Sequence, residues 1–218
     1  MLKDIKTVIF DMDGVIFDSE STYIDCCVEA SKKYSIENVV ETCHKCLGIT
    51  FEGTKKILKD TYGEDFPADD FCHEAMAIFT SRYSGGRLPK KDGAEEILKA
   101  LKENGFKLAL ASSTPWHLVE EQLSSAGLID YFDELVTGNM VEHSKPDPEI
   151  FLKAAEVTSS EPSECAVIED SFNGVRAGHA AGMFTIMVPD ILQPDEEIRG
   201  LASAVLPSLL DVKNFIID

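Results

Sequence analysis

Short, uninterrupted apolar runs alternate with amphipathic stretches along most of this chain. The runs lie at Thr7–Phe10, Lys107–Ala111, Glu134–Val136, Ala166–Ile168 and Phe184–Val188. They are too short for helices and lack the in-out alternation of a half-exposed strand, so they read as strands buried on both faces, as in a parallel sheet. Between them the apolar period changes to that of a helix. Ala94, Ile97, Leu98 and Leu101 keep i, i+3, i+4, i+7 spacing, and Asn104-Gly105 closes that helix. Leu118, Gln122, Leu123 and Ala126 form a second stripe, stopped by Gly127. Ile150, Phe151, Ala154 and Ala155 form a third, with Pro146 and Pro148 expected in its first turn, where a missing N–H is harmless. A fourth helix is predicted over 173–181, ahead of Gly182. Strand-helix alternation over residues 90–190 predicts an α/β core: a Rossmann-like, open, mostly parallel sheet with helices on both faces.

Residues 18–87 break this rhythm. After the first apolar run the chain shows helical patterns only, over 20–34, 37–47, 50–61 and 69–83. In the last of these, Phe71, Ala75, Ile78, Phe79 and Arg82 keep amphipathic spacing. Gly85-Gly86 and Pro89 then punctuate the return to the alternating region. The expected organisation is a core made of 1–17 and 88–218, with an all-helical module, 18–87, inserted after the first strand. Hinges between the two are expected near Phe17-Asp18 and over Gly85–Pro89.

Charge narrows the partners. The 39 Asp plus Glu outnumber the 20 Lys plus Arg, for a formal charge of −19. Nucleic acid is excluded as a partner, because binding it needs a basic face to release counterions. A phosphorylated small molecule would be attracted only by a metal and a few local donors, against the overall field. The first apolar run is short and has acidic neighbours, unlike a secretory segment, and no stretch nears the roughly 20 apolar residues of a membrane span. The expected setting is therefore cytoplasmic, with no membrane partner. Cysteines at 26, 27, 43, 46, 72 and 165 are expected to be reduced thiols there. Cys43-His44-Lys45-Cys46 has zinc-knuckle spacing, but no second C-x-x-C follows and the flanks read as helix, so buried or idle thiols are the better reading.

Ligands of open α/β sheets bind beyond the carboxyl ends of the strands. Asp11 follows Val8-Ile9-Phe10, Ser112 follows Leu108–Ala111, and Glu169-Asp170 follow Val167-Ile168. Lys145 enters from the loop before the proline-flanked helix. Taken singly, each has an ordinary explanation: a solvated D-x-D turn, a loop serine, a surface lysine, an acidic pair opening a helix. An EF-hand loop also begins D-x-D, but its glycine stands at the sixth position and Gly14 is at the fourth. Jointly the ordinary readings need a coincidence of four segments at one sheet edge.

The set suits phosphoryl transfer through a covalent intermediate. A carboxylate nucleophile must approach an anionic phosphate, so their repulsion has to be neutralised. Asp11 and Asp170 can hold Mg²⁺, which prefers oxygen ligands. Lys145 supplies a point charge, and with Mg²⁺ it is expected to keep Asp11 ionised. Ser112, Ser113 and backbone N–H groups at the start of the helix led by Thr114-Pro115 can take the remaining phosphate oxygens. Asp13 is expected on the same side as Asp11 if the extended chain continues, where it can move the proton. Gly14 allows a sharp turn beside the ligand.

These residues carry a resemblance. V-I-F-D-M-D-G-V-I-F-D-S, L-A-S-S-T, H-S-K-P-D-P-E-I-F and V-I-E-D-S-F-N-G resemble the four motifs of the haloacid dehalogenase-like hydrolases, and their order resembles the beta-phosphoglucomutase and phosphoglycolate phosphatase branch. The resemblance implies Asp11 as nucleophile and Asp13 as acid and base. It implies a Mg²⁺ site of Asp11, the Asp13 carbonyl and Asp170, with Glu169 supporting it through water. The inserted module would be a cap that closes over a small phosphorylated metabolite. An acid at Asp13 suits a phosphate ester, whose alkoxide leaving group needs a proton; a carbon–halogen bond needs none.

Phosphatase is the preferred activity and a sugar phosphomutase the alternative. In the mutases an arginine follows the cap turn, where this chain has Phe51 after Gly48-Ile49-Thr50, and a histidine stands near the position of Tyr23. Lys45, Lys55, Lys56 and Arg82 are the remaining cap cations that could hold a second phosphate. Tyr23, Ile49, Phe51 and Arg82 are expected to shape selectivity. Rivals of another class are a silent phosphate-binding protein and a phosphorylation switch; a switch domain would carry its acidic pair on the first strand and needs no such insert. A monomer is expected, because the site completes itself within one chain.

Overall fold

The computed structural model describes residues 4–47 and 51–217. The apolar runs are strands: β1 (Thr7–Phe10), β2 (Lys107–Ser112), β3 (Glu134–Thr137), β4 (Cys165–Glu169) and β5 (Phe184–Met187), joined by a short β6 (Ala204–Val205). All pair in parallel in one sheet of order β3-β2-β1-β4-β5-β6. The pleat sorts side chains between two layers. Val8, Phe10, Leu108, Leu110, Ala166 and Ile168 enter one apolar cluster, while Ile9, Ala109, Ala111, Cys165 and Val167 enter the other.

Helices close both layers. The first is covered by α5 (Ala94–Glu103), α6 (Trp116–Ser125) and α10 (Leu209–Ile217), the second by α7 (Glu149–Val157) and α8 (Phe172–Ala180). The four apolar residues predicted on α5 and the four on α7 are all buried. Each large aliphatic among them contributes about 1.5–3 kcal/mol by leaving water. Two local expectations are corrected. On α6 the buried stripe is Val119 and Leu123, and Leu118 is 37% exposed. One residue turns the helix by about 100°, so a stripe assigned one position early points its leading residue at solvent. Pro148 is the N-cap of α7 and Pro146 lies before it, so both prolines precede the helix instead of opening its first turn. Beyond Val188, where the apolar pattern suggested no element, Asp195 caps α9 (Glu196–Leu201) by accepting the Ile198 N–H at 2.9 Å, and β6 and α10 follow.

Between β1 and α5 lie α1 (Ser19–Tyr34), α2 (Val39–Cys46), α3 (Phe51–Tyr62) and α4 (Ala68–Tyr83). They share an apolar cluster that includes Ile24, Cys27, Cys43, Leu58, Phe71 and Ala75. The two chain crossings to this helical unit run side by side. The Asp18 N–H donates to the Pro89 carbonyl at 2.9 Å, the Lys91 N–H to that of Ile16 at 2.9 Å, and Phe17 bridges antiparallel to Lys90. All six cysteines are free thiols, and among the described residues no potential metal-ligand group contains one. No described helix is long and apolar enough to cross a membrane.

Candidate active site

The strand order reverses at β1, which has β2 on one side and β4 on the other. A crevice opens at the carboxyl end of such a reversal, because the connections leave in opposite directions. Asp11 directly follows β1, Ser112 ends β2, Glu169 ends β4 and Asp170 follows it. Three of the four segments singled out in the sequence therefore end at one edge.

The chain does not stay extended past Asp11. Ile16 and Phe17 both donate N–H groups to the Met12 carbonyl, at 2.9 and 3.1 Å, so residues 12–17 form a tight turn. Gly14 makes the turn with φ +77°, and a Cβ there would sit 2.1 Å from Asp170 Oδ2. Only glycine satisfies both the backbone and the close carboxylate. Asp13 thus reaches the site by a turn, not by strand continuation. The Thr114 hydroxyl donates to its Oδ2 at 2.8 Å, and the fully buried Ser112 hydroxyl stands at 3.5 Å. The Thr114 side chain was not foreseen as a partner of Asp13; the hydroxyl two places after Ser112 was the available signal. Ser113 is solvent-exposed.

Lys145 extends from the loop before α7, its side chain only 7% exposed. Its ammonium donates to Asp11 Oδ1 at 2.5 Å, Glu169 Oε1 at 2.7 Å and the Ala111 carbonyl at 3.1 Å, and lies 4.8 Å from the centre of the Phe151 ring. Glu169 is wholly buried. Its Oε2 accepts from the N–H groups of Asp170 and Ser171 and from the Ser171 hydroxyl, at 3.0, 2.9 and 2.9 Å. A Cβ on Gly174 would lie 1.8 Å from this carboxylate, so α8 leaves Glu169 the space it occupies.

One carboxylate oxygen each from Asp11, Glu169 and Asp170 lie within 4.8 Å of one another. Burial pushes Asp11 up to about 8, with Glu169 and Asp13 acting in the same direction against Lys145. Lys145 by itself therefore does not hold Asp11 in the ordinary carboxylate range, as the sequence had suggested a lysine and a metal together would. Burial would lower the Lys145 ammonium, but Asp11 and Glu169 outweigh it and hold it above its usual value. Asp170 is raised well above the ordinary range by burial and then by Glu169, Glu20, Asp11 and Asp190. Glu20, in the first turn of α1, is raised to about 7 by burial and by the neighbouring acids. So dense an array of oxygen donors, with no sulfur or nitrogen ligand, fits Mg²⁺. Asp170 is 4% exposed and stands against the bend at Gly14, so its carboxylate is held inside this group.

The residues expected to govern selectivity lie on the helical unit. Tyr23 and Phe51 line a cavity of about 320 Å³ together with Cys27, Cys43, Leu58 and Met76. Tyr23 also packs edge-on against Phe79, with ring centres 6.0 Å apart. Phe51 is half exposed with the Lys55 ammonium 5.0 Å from its ring centre. Arg82 pairs with Glu29 at 2.5 Å on the surface. Ile49 lies outside the described residues.

The sequence model of the haloacid dehalogenase-like hydrolases matches residues 8–188. The phosphorylated carbohydrates phosphatase of Thermotoga maritima is 32% identical over 182 residues, covering 82% of each chain. Hexitol phosphatase B of Escherichia coli is 28% identical, covering 96% of this chain and 95% of its own. A crystal structure from Thermotoga maritima, provisionally named a beta-phosphoglucomutase, superposes with a TM-score of 0.77 at 29% identity, covering 97% of this chain and 98% of that one.

Proposed function

Because this chain belongs to the haloacid dehalogenase-like hydrolases, we propose that it is a Mg²⁺-dependent phosphatase that hydrolyses a small phosphate monoester through an aspartyl-phosphate on Asp11. The observation that carries this reading is the placement of Asp11. It is 7% exposed, bonded to Lys145, and set against Asp170 on one side while Asp13 is held by Thr114 on the other.

In the first half-reaction an Asp11 carboxylate oxygen bonds to phosphorus as the ester P–O bond breaks. Asp13 donates its proton to the departing alkoxide. In the second half, water attacks the aspartyl-phosphate, Asp13 takes the water's proton, and the Asp11 carboxylate leaves as inorganic phosphate is released. Thr114 orients Asp13 for both transfers. Lys145 holds Asp11 Oδ1, which fixes the swing of the nucleophile, and offsets charge on the phosphate. Ser112, Ser113 and the N–H groups leading into α6 are assigned to the phosphate oxygens. Asp11, the Asp13 carbonyl and Asp170 would hold Mg²⁺, with Glu169 behind them. The ion would supply positive charge opposite the one-sided array of acids and lower the repulsion between nucleophile and phosphate.

Residues 18–87 are assigned as a cap over this site, hinged at the paired crossings, with Tyr23, Ile49, Phe51 and Arg82 reading the non-phosphate part of the substrate. The phosphatase reading is favoured over the mutase because the cap cations proposed for a second phosphate already face acids. Lys45 pairs with Glu41, Lys55 with Glu52 and Asp69, Lys56 with Asp60, and Arg82 with Glu29. The test is phosphate release from a panel of sugar phosphates, phosphoglycolate and nucleotides with Mg²⁺. Wild-type turnover that stops on EDTA addition and is abolished in a folded Asp11→Asn variant is expected. An active Asp11→Asn protein refutes the nucleophile, and conversion of beta-glucose 1-phosphate to glucose 6-phosphate faster than phosphate appears refutes the hydrolase.

A further inference from the structure

Two acids close to the catalytic crevice have no part in the chemistry above. Glu20 stands in the first turn of α1, on the cap side of the chain crossings, and Asp190 in the loop after β5, on the sheet side. One carboxylate oxygen from each lies within 4.8 Å of the other and of an Asp170 oxygen. Lys91 takes Asp190 Oδ1 at 2.7 Å, while Asp190 Oδ2 is buried with no hydrogen-bond partner among the described residues. Asp170, the third member of the group, is 4% exposed. Three acids thus face one another, and the cation beside them, Lys91, bonds only Asp190, whose second oxygen is left without a partner among the described residues. A favourable position at a helix N-terminus accounts for Glu20 alone; it does not account for Asp190 or Asp170.

We infer that Glu20 and Asp190 are positioning residues for the Mg²⁺ site, accepting hydrogen bonds from water that the ion retains, and that the ion thereby fastens α1 to the sheet. The inference rests on the proposed Mg²⁺-dependent function and deepens it. Mg²⁺ gives up its water reluctantly and is held by one or two carboxylates, so its remaining waters need acceptors. Acids behind the direct ligands orient those waters and raise affinity. Asp170 belongs both to the group with Asp11 and Glu169 and to the group with Glu20 and Asp190, so it joins the reaction centre to this outer set. Since Glu20 lies beyond the Phe17–Lys90 bridge, ion binding and the seating of the cap helix become linked, each favouring the other.

The test is direct Mg²⁺ binding to the full chain by isothermal titration calorimetry, with Glu20→Gln and Asp190→Asn, which keep shape and remove charge. Each is expected to weaken the Mg²⁺ Kd by about 10-fold or more, with an unchanged circular dichroism spectrum. Mg²⁺ should also protect the 84–89 crossing from limited proteolysis in the wild type and much less in Glu20→Gln. Should Glu20→Gln misfold, Asp190→Asn, which lies outside the cap, carries the affinity test. Wild-type binding with both variants within twofold of it overturns this inference and leaves the proposed cofactor standing. No Mg²⁺ binding by the wild type overturns both.

Discussion

Replacing Thr114 by valine removes one oxygen and keeps the shape of the side chain. In the wild type that oxygen donates to Asp13 Oδ2 at 2.8 Å, and the next hydroxyl, on Ser112, stands at 3.5 Å, the limit of a hydrogen bond. Asp13 would lose the contact that, on the proposed mechanism, aims it at the leaving oxygen. A hydrogen bond to a charged group is worth about 1.5–3 kcal/mol. At about 1.36 kcal/mol per decade this becomes a roughly 10- to 150-fold fall in kcat/KM for an alkyl phosphate. Thr114→Ser restores the donor and should stay near wild type. The assay is phosphate release from an alkyl phosphate and from p-nitrophenyl phosphate. A phenolate leaves without needing a full proton, so the penalty should shrink to a few-fold with the aryl ester. Valine at wild-type rate on the alkyl ester, or an equal loss with both esters, refutes the assignment of Asp13 as the acid aimed by Thr114.

Lys145→Met should lower stability by about 3–5 kcal/mol, because it leaves Asp11 and Glu169 buried without their shared ammonium; the urea midpoint measures this, and a loss below about 1 kcal/mol contradicts the role. Metal-free wild-type protein should lose stability as pH rises. Asp11 keeps its proton to about 8 in the fold but only to the ordinary 3.8 when unfolded, so between these the native state binds the extra proton. The slope should approach about 1.4 kcal/mol per pH unit for one such group, and excess Mg²⁺ should flatten it. Urea midpoints in EDTA that hold or climb from pH 5 to 7.5 contradict this.

The sheet was legible because both its faces are covered, which turns each strand into an unbroken apolar run such as Val8-Ile9-Phe10. The site was legible for a related reason: strand ends deliver residues to one edge, so Asp11, Ser112 and Glu169-Asp170 could be grouped without knowing any distance. What escaped depends on turns and on short elements. Asp13 faces Thr114 only because Gly14 bends the chain, and side-chain pairing across a turn leaves no periodicity. β6 has two half-buried residues, too few for any pattern. The α6 stripe was displaced because Val119 and Leu118 are both apolar and only packing distinguishes them. Glu20 and Asp190 are 170 positions apart, and nothing in either neighbourhood announces the other.

The central place of β1 also bears on how the molecule is made. Thr7 pairs with Lys107 on one side and Cys165 on the other, so the strand that leads into the proposed nucleophile has no local partner. Closing loops of that length costs entropy before any contact repays it. The helices α1–α4, by contrast, find their neighbours within their own stretch of chain. During synthesis the cap helices can therefore associate while β1 waits, and the second wall of the crevice arrives only when β4 leaves the ribosome. On the proposed mechanism, a growing chain would hold Asp11 harmless until more than three-quarters of the sequence has been translated, which would tie the onset of catalysis to near-completion of the polypeptide.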